Sequence, residues 1–370
     1  MADVCIFVGA RPGYMKTWSV YQAFMNRGIC PTVVATGQHH DILKQQQAIL
    51  PMPISEWLID TQPNVPLAQL YSYIYDAARM FLENDQPQAV FVNGDTTSAL
   101  AVATAAFHLQ IPIAHIESGL RSFNLKSPFP EEFNRISIDA MSTYLFAPTE
   151  RAAKICLAIN PQGKVCVTGN TVIDALRYVL PTLPKDRHCR PYILLDMHRR
   201  ETSESDMERI VEIILEQTAS YDFDIIWPAH PNPKVQAVAL KFMQRSMRLV
   251  LLRPQPYVNF VRLMRDAELI LTDSGGVVEE AITIGTPTLQ LRDYTDRQEA
   301  IGHQYSWLAT TNPDEVERIL KIALLYAPSW KARMKDVKNP YGNGDAGDRS
   351  VEFFLWGVQR CQLKTQYLSV

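Results

Sequence analysis

Short, wholly apolar segments alternate with segments of helical periodicity along most of this chain, and this pattern constrains the fold more than any other feature. Strands that are buried on both faces are wholly apolar, and such strands belong to parallel sheets that helices cover on both sides. The first half therefore predicts one parallel sheet with helices between its strands. The expected strands are residues 4–8, 32–35, 89–92, 113–116, 144–147 and 165–168.

The same pattern restarts after residue 190, without an exact sequence repeat. A chain of 370 residues is too long for one ordinary core, so we expect two domains. The predicted fold class is α/β, with two Rossmann-like domains facing a central cleft, where ligands bind at the carboxyl ends of strands. We expect an N-terminal domain at 1–180, joined by a C-terminal helix at 348–370, and a second domain at 181–347. The expected strands of that domain are 192–195, 224–227, 249–252, 269–271 and 287–291.

Charge and cysteine usage exclude several classes of protein. The formal net charge is −3, so no overall positive field attracts nucleic acid or anionic lipid. The six cysteines form no C-x-x-C pair, which fits buried thiols in a reduced cytoplasm. The N-terminus lacks the pattern of a signal peptide, and no apolar segment is long enough to span a bilayer, so we expect no membrane partner.

The turn after the first expected strand is a candidate phosphate site. Gly9 permits a tight turn, and the first amides of the following helix are free to bind an anion. Arg11 and Lys16 add positive charge there, which suits a diphosphate. An ordinary turn with two solvated basic residues explains the segment equally well. The segment is not a G-x-G-x-x-G fingerprint, so NAD binding is not indicated.

Carboxylates follow the expected strands of the first half. Asp95 and Glu117 come shortly after two of these strands, at the edge where ligands bind. Asp95 also precedes a helix, where an N-cap role is as plausible as a catalytic one. Glu131 and Glu132 follow in a loop stiffened by prolines. Several carboxylates near one cleft can hold different pKa values and divide acid and base duties.

The second half contains a candidate nucleotide site. The expected strand 269–271 runs into Asp-Ser-Gly-Gly and then a helix. The amides of Gly275 and Gly276 and the hydroxyl of Ser274 would face a phosphate at that helix start. Glu280, about one turn further, is placed to accept both ribose hydroxyls. A glycine turn beside a surface helix is the alternative interpretation.

Two histidines, His198 and His230, also end expected strands of the second half. Each histidine alone is more often structural or on the surface than functional. Their equivalent positions at two strand ends favour a ligand-binding role. The histidines form no H-x-x-x-H or H-E-x-x-H pair, so a zinc site is not predicted.

Taken together, these segments make the chain resemble the non-hydrolysing UDP-N-acetylglucosamine 2-epimerase family. The resemblance covers nearly the whole chain, in the family's order. Its most specific blocks are AHIESGLRSFNLKSPFPEEFNR and VTGNTVIDAL. The other segments that carry it are GARPGYMK, TGQHHDIL, VNGDTTSALA, FAPTERA, MHRRET, PAHPNP, TDSGGVVEEA and LRDYTDRQEA.

The resemblance implies a GT-B fold, a homodimer, a UDP-sugar substrate, and no metal or redox cofactor. It also implies a mechanism in which the enzyme eliminates UDP across carbons 1 and 2 of the sugar and holds a 2-acetamidoglucal. UDP then adds back with carbon 2 inverted. The hydrogen on carbon 2 is poorly acidic, so cleavage of the C–O bond leads, and carboxylates stabilise the oxocarbenium character that develops.

The family's functional residues can be transferred by motif position, and they fall into three sets. The acid/base set is Asp95, Glu117 and Glu131, of which the proton-abstracting base is not assigned, with His198 facing the diphosphate or the sugar. The substrate-binding set, in which Phe260 borders uracil and the last two residues lie on the sugar-side loop, is Arg11, Lys16, Phe260, Ser274, Gly275, Gly276, Glu280, Arg297 and Glu299. The positions that bind a second, activating UDP-GlcNAc in regulated bacterial members are Gln38, His39, Arg199 and His230.

The chain departs from the family pattern at positions around the sugar and the effector. Ala10 and Gly13 replace the Thr and Glu that the family usually shows in the first turn, and Asn93 replaces a His. We therefore expect epimerase chemistry to persist while the substrate or its regulation differs. Three alternatives are a hydrolysing relative that releases free ManNAc and UDP, a GT-B glycosyltransferase, and a non-catalytic UDP-sugar-binding paralogue.

Overall fold

The computed structural model describes residues 3–37, 40–60, 65–184, 190–197, 203–230, 232–302 and 304–367, without the side chains of 40–42 and 359–367. The chain divides into two compact units. Unit 1 is Met1–Tyr178 with Tyr341–Val370, and unit 2 is Val179–Pro340. Each unit contains one parallel sheet with helices between its strands, which confirms the predicted α/β class with two Rossmann-like domains.

In unit 1, the residues that the structure describes form seven parallel strands. They are β1 (Val4–Val8), β2 (Thr32–Ala35), β3 (Glu56–Trp57), β4 (Ala89–Asn93), β5 (Ile113–Ile116), β6 (Tyr144–Ala147) and β7 (Lys164–Val167). Its helices before residue 180 are α1 (Arg11–Met25), α2 (His40–Gln47), α3 (Leu67–Asp85), α4 (Thr97–His108), α5 (Glu131–Met141), α6 (Glu150–Ile159) and α7 (Thr171–Val179). The strand order is β3-β2-β1-β4-β5-β6-β7, so the order reverses between β1 and β4.

Small side chains let the helices of unit 1 pack close to the sheet. Ala101, Ala105 and Ala106 of α4 are fully buried, together with Val90 of β4, in one core cluster. Register then places the strand ends: Asn93 of β4 lies opposite Ile116 of β5. The residues that follow these two strands therefore emerge side by side, next to the point where strand order reverses, which is the usual ligand position of such sheets.

Unit 2 contains six parallel strands and five α-helices among its described residues. The strands are β8 (Tyr192–Asp196), β9 (Asp224–Pro228), β10 (Leu249–Leu252), β11 (Leu269–Thr272), β12 (Thr288–Gln290) and β13 (Ser306–Leu308). The helices are α8 (Glu204–Thr218), α9 (Pro233–Met243), α10 (Tyr257–Asp266), α11 (Gly275–Ile284) and α12 (Pro313–Met334). The strand order is β10-β9-β8-β11-β12-β13, with the reversal between β8 and β11.

The last helix, α13 (Ala346–Tyr367), belongs to unit 1 and packs against α1. The approach is close, since a Cβ on Gly347 would lie 2.6 Å from the backbone of Ser19. The ring of Phe354 on α13 packs against the rings of Phe24 and Phe91, so this helix contributes to the apolar core of unit 1. Within the described ranges, no helix is both long enough and apolar enough to cross a membrane.

Candidate active site

Glu117 follows β5 and is the most enclosed of the three predicted acid/base residues, with 8% of its surface exposed. Its Oε2 accepts a hydrogen bond from Lys16 Nζ at 2.5 Å, and its Oε1 accepts one from Asn170 Nδ2 at 3.1 Å. Its backbone lies in the left-handed region at φ +66°, which costs a non-glycine residue about 1 kcal/mol or more. Lys16 and Asn170 therefore hold the Glu117 carboxylate at the end of β5, where the backbone of Glu117 is strained.

Asp95 lies two residues beyond β4, and its interpretation as a helix cap is wrong. Thr96 is the N-cap of α4, and its hydroxyl accepts a hydrogen bond from the amide of Ala99 at 3.1 Å. The Asp95 carboxylate instead forms an ion pair with Arg135, while 28% of the Asp95 side chain stays exposed. Asn134 Nδ2 also donates to the backbone oxygen of Asp95 at 2.8 Å. Helix α5 therefore holds Asp95, and part of its carboxylate remains accessible.

Glu131 is the first residue of α5 and is half-buried. A carboxylate at a helix start is stabilised by the positive end of the helix dipole. The neighbouring Glu132 is 1% exposed, and its carboxylate accepts hydrogen bonds from the amides of Ser122 and Phe123 at 3.0 and 2.9 Å. Glu132 therefore organises the loop before α5, and Glu131 remains the candidate acid on this helix.

The first turn leaves a helix start open. Arg11 is half-buried at the first position of α1, and no side chain caps the helix from Ala10. Gly9 has to be glycine, since a Cβ there would lie 2.8 Å from the Cβ of Ser98. Lys16, on the same helix, contacts Glu117 rather than extending into solvent. The turn can therefore bind an anion through its amides and Arg11, while Lys16 also forms an ion pair with Glu117.

Three departures from the family pattern meet in one concavity of unit 1. Ala10, Gly13 and Asn93 all line it, together with the polar side chains of Thr36 and Thr96. A Cβ added at Gly13 would lie 4.0 Å from Asn93 Oδ1, which is ordinary contact distance. The small residues therefore leave space beside the first turn.

Two residues outside the predicted site contact predicted acids. Arg135 pairs with Asp95, and Asn170 donates to Glu117. Arg135 lies four residues after Glu131, a spacing that places both on one side of α5, so the helical period contained a signal for it. Asn170 lies 53 residues from Glu117 in sequence, and no local pattern indicates that contact.

Ser274, Gly275 and Gly276 form the start of α11. Ser274 is the N-cap residue, and its side chain makes no cap hydrogen bond. Thr272 holds the loop, since its hydroxyl donates to Asp196 Oδ2 at 2.7 Å and accepts from the amide of Ser274 at 2.9 Å. A Cβ at Gly276 would meet no atom within 4 Å. Open space therefore lies at a helix start whose amides suit a phosphate.

Glu280 lies one turn into α11 and is 5% exposed. Its Oε1 accepts a hydrogen bond from the hydroxyl of Tyr257 on α10. Phe260, one turn further along α10, is half-buried. Contact between α10 and α11 therefore brings the predicted ribose and uracil residues onto neighbouring helices.

Arg297 is buried beside the glycine loop of unit 2. Its Nε donates to Glu279 Oε1 at 3.0 Å, and the guanidinium also pairs with Asp296. A Cβ on Gly275 would lie 3.0 Å from Arg297 Nε, so this glycine makes room for the arginine. Glu299 is half-buried in the short turn that follows.

Four predicted residues, Gln38, His39, His198 and Arg199, lie outside the described residues. His230 follows β9 and is exposed, and its Nδ1 accepts a hydrogen bond from the amide of Asn232 at 3.2 Å. In the described part of the chain, no group of three or more His, Cys, Asp or Glu side chains is arranged to hold a metal ion.

Each unit thus assembles its own chemistry. Unit 1 places acids at the ends of β4 and β5 and at the start of α5, with lysine and arginine on two of them. Carboxylates with such partners can exchange protons with a ligand and stabilise positive charge on it. Unit 2 places an open helix start beside a buried carboxylate, which suits a phosphate and a pair of hydroxyls.

Comparison with known sequences points to one family. A family profile described as UDP-N-acetylglucosamine 2-epimerase matches residues 23–355. The UDP-N-acetylglucosamine 2-epimerase of Neisseria meningitidis serogroup A is 35% identical over 365 residues, which cover 94% of this chain and 97% of that protein. The UDP-N-acetylglucosamine 2-epimerase of Escherichia coli K12 is 34% identical over 369 residues, which cover 93% of this chain and 96% of that protein.

Solved structures agree with the sequence relatives. The crystal structure of UDP-GlcNAc 2-epimerase from Neisseria meningitidis bound to UDP-GlcNAc matches with a TM-score of 0.89 and 35% identity, covering 96% of this chain and 100% of that chain. The S. aureus MnaA-UDP co-structure matches with a TM-score of 0.89 and 33% identity, covering 97% of both chains. The Methanocaldococcus jannaschii UDP-GlcNAc 2-epimerase in complex with UDP-GlcNAc and UDP matches with a TM-score of 0.83 and 31% identity, covering 96% of this chain and 99% of that chain.

Proposed function

The chain belongs to the UDP-N-acetylglucosamine 2-epimerase family, and we propose that it interconverts UDP-GlcNAc and UDP-ManNAc, or a closely related UDP-2-acetamido sugar, without net hydrolysis. The observation that carries the proposal is the pair Asp95 and Glu117. They follow adjacent strands, and each has a cation on its carboxylate. Such a pair can stabilise positive charge on a sugar ring and move a proton at the neighbouring carbon.

The reaction starts with cleavage of the bond between carbon 1 and the diphosphate oxygen, because the hydrogen on carbon 2 is poorly acidic until carbon 1 becomes positive. One of Asp95, Glu117 and Glu131 removes that proton, and a double bond forms between carbons 1 and 2. A second acid returns a proton to the opposite face as UDP adds back to carbon 1. The three surroundings differ, which suits this division: one acid is enclosed, one is partly exposed, and one begins a helix.

The nucleotide is held by unit 2 in this proposal. The amides at the start of α11 bind phosphate, the carboxylate of Glu280 accepts the ribose hydroxyls, and Phe260 borders uracil. Cations of unit 1 stabilise the departing diphosphate. The residues assigned to the diphosphate and the sugar are Arg11, Lys16, His198, Ser274, Gly275, Gly276, Arg297 and Glu299.

Incubation with UDP-GlcNAc in deuterated water, followed by proton NMR, tests the proposal. We expect UDP-ManNAc to appear with deuterium at carbon 2 and without free UDP. Free UDP that accumulates in step with free ManNAc would instead identify the hydrolysing reaction. Absence of both exchange and product would contradict the proposal. Glu117→Gln should abolish exchange, whereas Glu150→Gln, at the exposed start of α6, should leave it unchanged.

We further propose that unit 1 is the catalytic domain and unit 2 the UDP-binding domain of a cytoplasmic homodimer without metal or redox cofactor. The cysteines with described side chains are free thiols, which suits a reduced compartment. Met80 of α3 and Phe107 of α4 are 58% and 52% exposed, which suits a protein interface. Light scattering tests whether the protein is a homodimer, and activity in the presence of a chelator tests whether the reaction needs a metal.

An effector site is a separate proposal. Gln38, His39, Arg199 and His230 bind a second UDP-GlcNAc that activates the enzyme. A sigmoidal dependence of rate on UDP-GlcNAc concentration supports it, and hyperbolic kinetics that His230→Ala does not alter would contradict it.

A further inference from the structure

A buried ionic cluster in unit 1 has no part in the chemistry proposed above. Its centre is Asp139 of α5, which has no exposed surface. The Asp139 carboxylate contacts His115 Nδ1 at 2.7 Å and accepts hydrogen bonds from Arg121 Nη2 at 2.5 Å and from the amide of Gly119 at 3.0 Å. His115 is on β5 and is also fully buried. Burying a carboxylate and a guanidinium together is costly, so the arrangement calls for a role.

The second nitrogen of His115 points toward an acid-bearing loop. His115 Nε2 lies 2.8 Å from the backbone oxygen of Gly94, the residue directly before Asp95. A carbonyl oxygen can only accept, so Nε2 carries hydrogen. Burial disfavours the charged form of Asp139, but the hydrogen bond from His115 and the charge of Arg121 outweigh it and lower the pKa of Asp139. An ionised carboxylate also only accepts, so Nδ1 carries hydrogen too.

These contacts join the two loops that carry the proposed acids. From Gly94, beside Asp95, the connection runs through His115 and Asp139 to the amide of Gly119, two residues after Glu117. Gly119 adopts φ +80°, and a Cβ there would lie 2.2 Å from the backbone oxygen of Ala152. The loop after Glu117 therefore has one permitted path, which Asp139 holds from inside the unit.

We propose that His115 and Asp139 are positioning residues that set the separation of Asp95 and Glu117. The proposal rests on the proposed function, in which these two acids act on one sugar ring. A displacement of about 1 Å in such a pair can lower turnover about 100-fold. The substrate's nucleotide is held by unit 2 in the same proposal, so substrate affinity should change little.

Two near-isosteric variants separate positioning from simple stability. The amide nitrogen of His115→Asn replaces Nδ1, so it keeps the contact with Asp139 and loses the one with Gly94. The amide nitrogen of His115→Gln replaces Nε2, so it keeps the contact with Gly94 and leaves the buried Asp139 one donor short. An unsatisfied buried charge destabilises more than an unsatisfied carbonyl.

We therefore expect opposite orders in two measurements. His115→Gln should have the lower melting temperature of the two variants, yet His115→Asn should have the lower kcat, about 10- to 100-fold below the wild type, with KM for UDP-GlcNAc within about threefold. His108→Gln, which changes an exposed histidine of α4 that contacts Tyr75, should match the wild type in both. If kcat falls in the same order as the melting temperature, or if His115→Asn keeps full kcat, the positioning role is refuted.

A spectroscopic measurement on the wild type needs neither a variant nor turnover. With ¹⁵N-labelled histidine at pH 7, both ring nitrogens of His115 should show a directly attached proton. A single attached proton would overturn the connection. If the wild type fails to epimerise UDP-GlcNAc while both protons are present, the proposed function fails and the connection between the two loops stands.

Discussion

Arg135→Met separates the structural and chemical roles of one buried cation. The Arg135 side chain is 4% exposed and pairs with the Asp95 carboxylate and, at 3.4 Å, with Glu132 Oε2. The Glu132 side chain is 1% exposed, so among the described residues the variant leaves a buried carboxylate with the amides of Ser122 and Phe123 as its donors. Removing one partner of a buried ion pair costs about 3 kcal/mol of unfolding free energy.

The effect on turnover comes from Asp95 rather than from Glu132. The Asp95 side chain is 28% exposed, so water can solvate it once Arg135 is gone, and the loss is mainly one of position. A misplaced acid of this kind lowers kcat about 100-fold, equivalent to about 2.7 kcal/mol in the barrier.

Urea unfolding followed by tryptophan fluorescence measures stability, and NMR of the sugar measures turnover. In the double variant Arg135→Met with Glu132→Gln, the buried charge is absent, so about 1–2 kcal/mol of stability should return while turnover stays low. Arg318→Met, which breaks an exposed ion pair with Glu315 on α12, is the matched control and should change neither measurement. The reasoning is refuted if the double variant regains turnover, or if Arg135→Met keeps kcat within threefold of the wild type.

Three further predictions concern a helix start and the nucleotide site. Burial raises the pKa of Asp174, which accepts from the first amides of α13, to about 6, above the ordinary unfolded value. The stabilising effect of protonated Asp174 is therefore present at low pH and lost as pH rises through 6. Between pH 4 and pH 7, the unfolding free energy of Asp174→Asn, measured with urea, should rise by up to about 3 kcal/mol relative to that of the wild type. A difference that stays constant with pH would contradict this. Tyr257→Phe removes the donor to Glu280 and should raise KM for UDP-GlcNAc about tenfold with kcat within twofold in steady-state kinetics, whereas a fall in kcat alone would argue against a ribose contact. Gly276→Ala should keep its melting temperature, because a Cβ there meets nothing within 4 Å, yet weaken UDP binding about tenfold by calorimetry. Gly285→Ala, at φ +83°, should lower the melting temperature and leave UDP binding unchanged. Equal UDP affinity in the two variants would exclude phosphate at α11.

The strands could be predicted where burial on both faces requires a wholly apolar segment. β5 (Ile113–Ile116) and β6 (Tyr144–Ala147), which are buried along their whole length, begin and end at the predicted residues. β3 (Glu56–Trp57) and β13 (Ser306–Leu308) were not predicted, because each is short and lies at a sheet edge, where polar side chains are tolerated and the apolar signal is lost.

The fold class, the family, and the strand that each predicted acid follows could be inferred from the sequence alone, because these depend on apolar periodicity and on motif order along the chain. The contacts of each acid depend on the three-dimensional packing of the chain. Arg135 lies 40 residues from Asp95, and Lys16 lies 101 residues from Glu117. A hydrogen bond forms only within a few tenths of an ångström of its preferred length, and that precision comes from strand register and helix packing. Neighbouring residues in the chain carry no information about such a distance, so the sequence left a cap role open at Asp95, whereas the structure shows an ion pair.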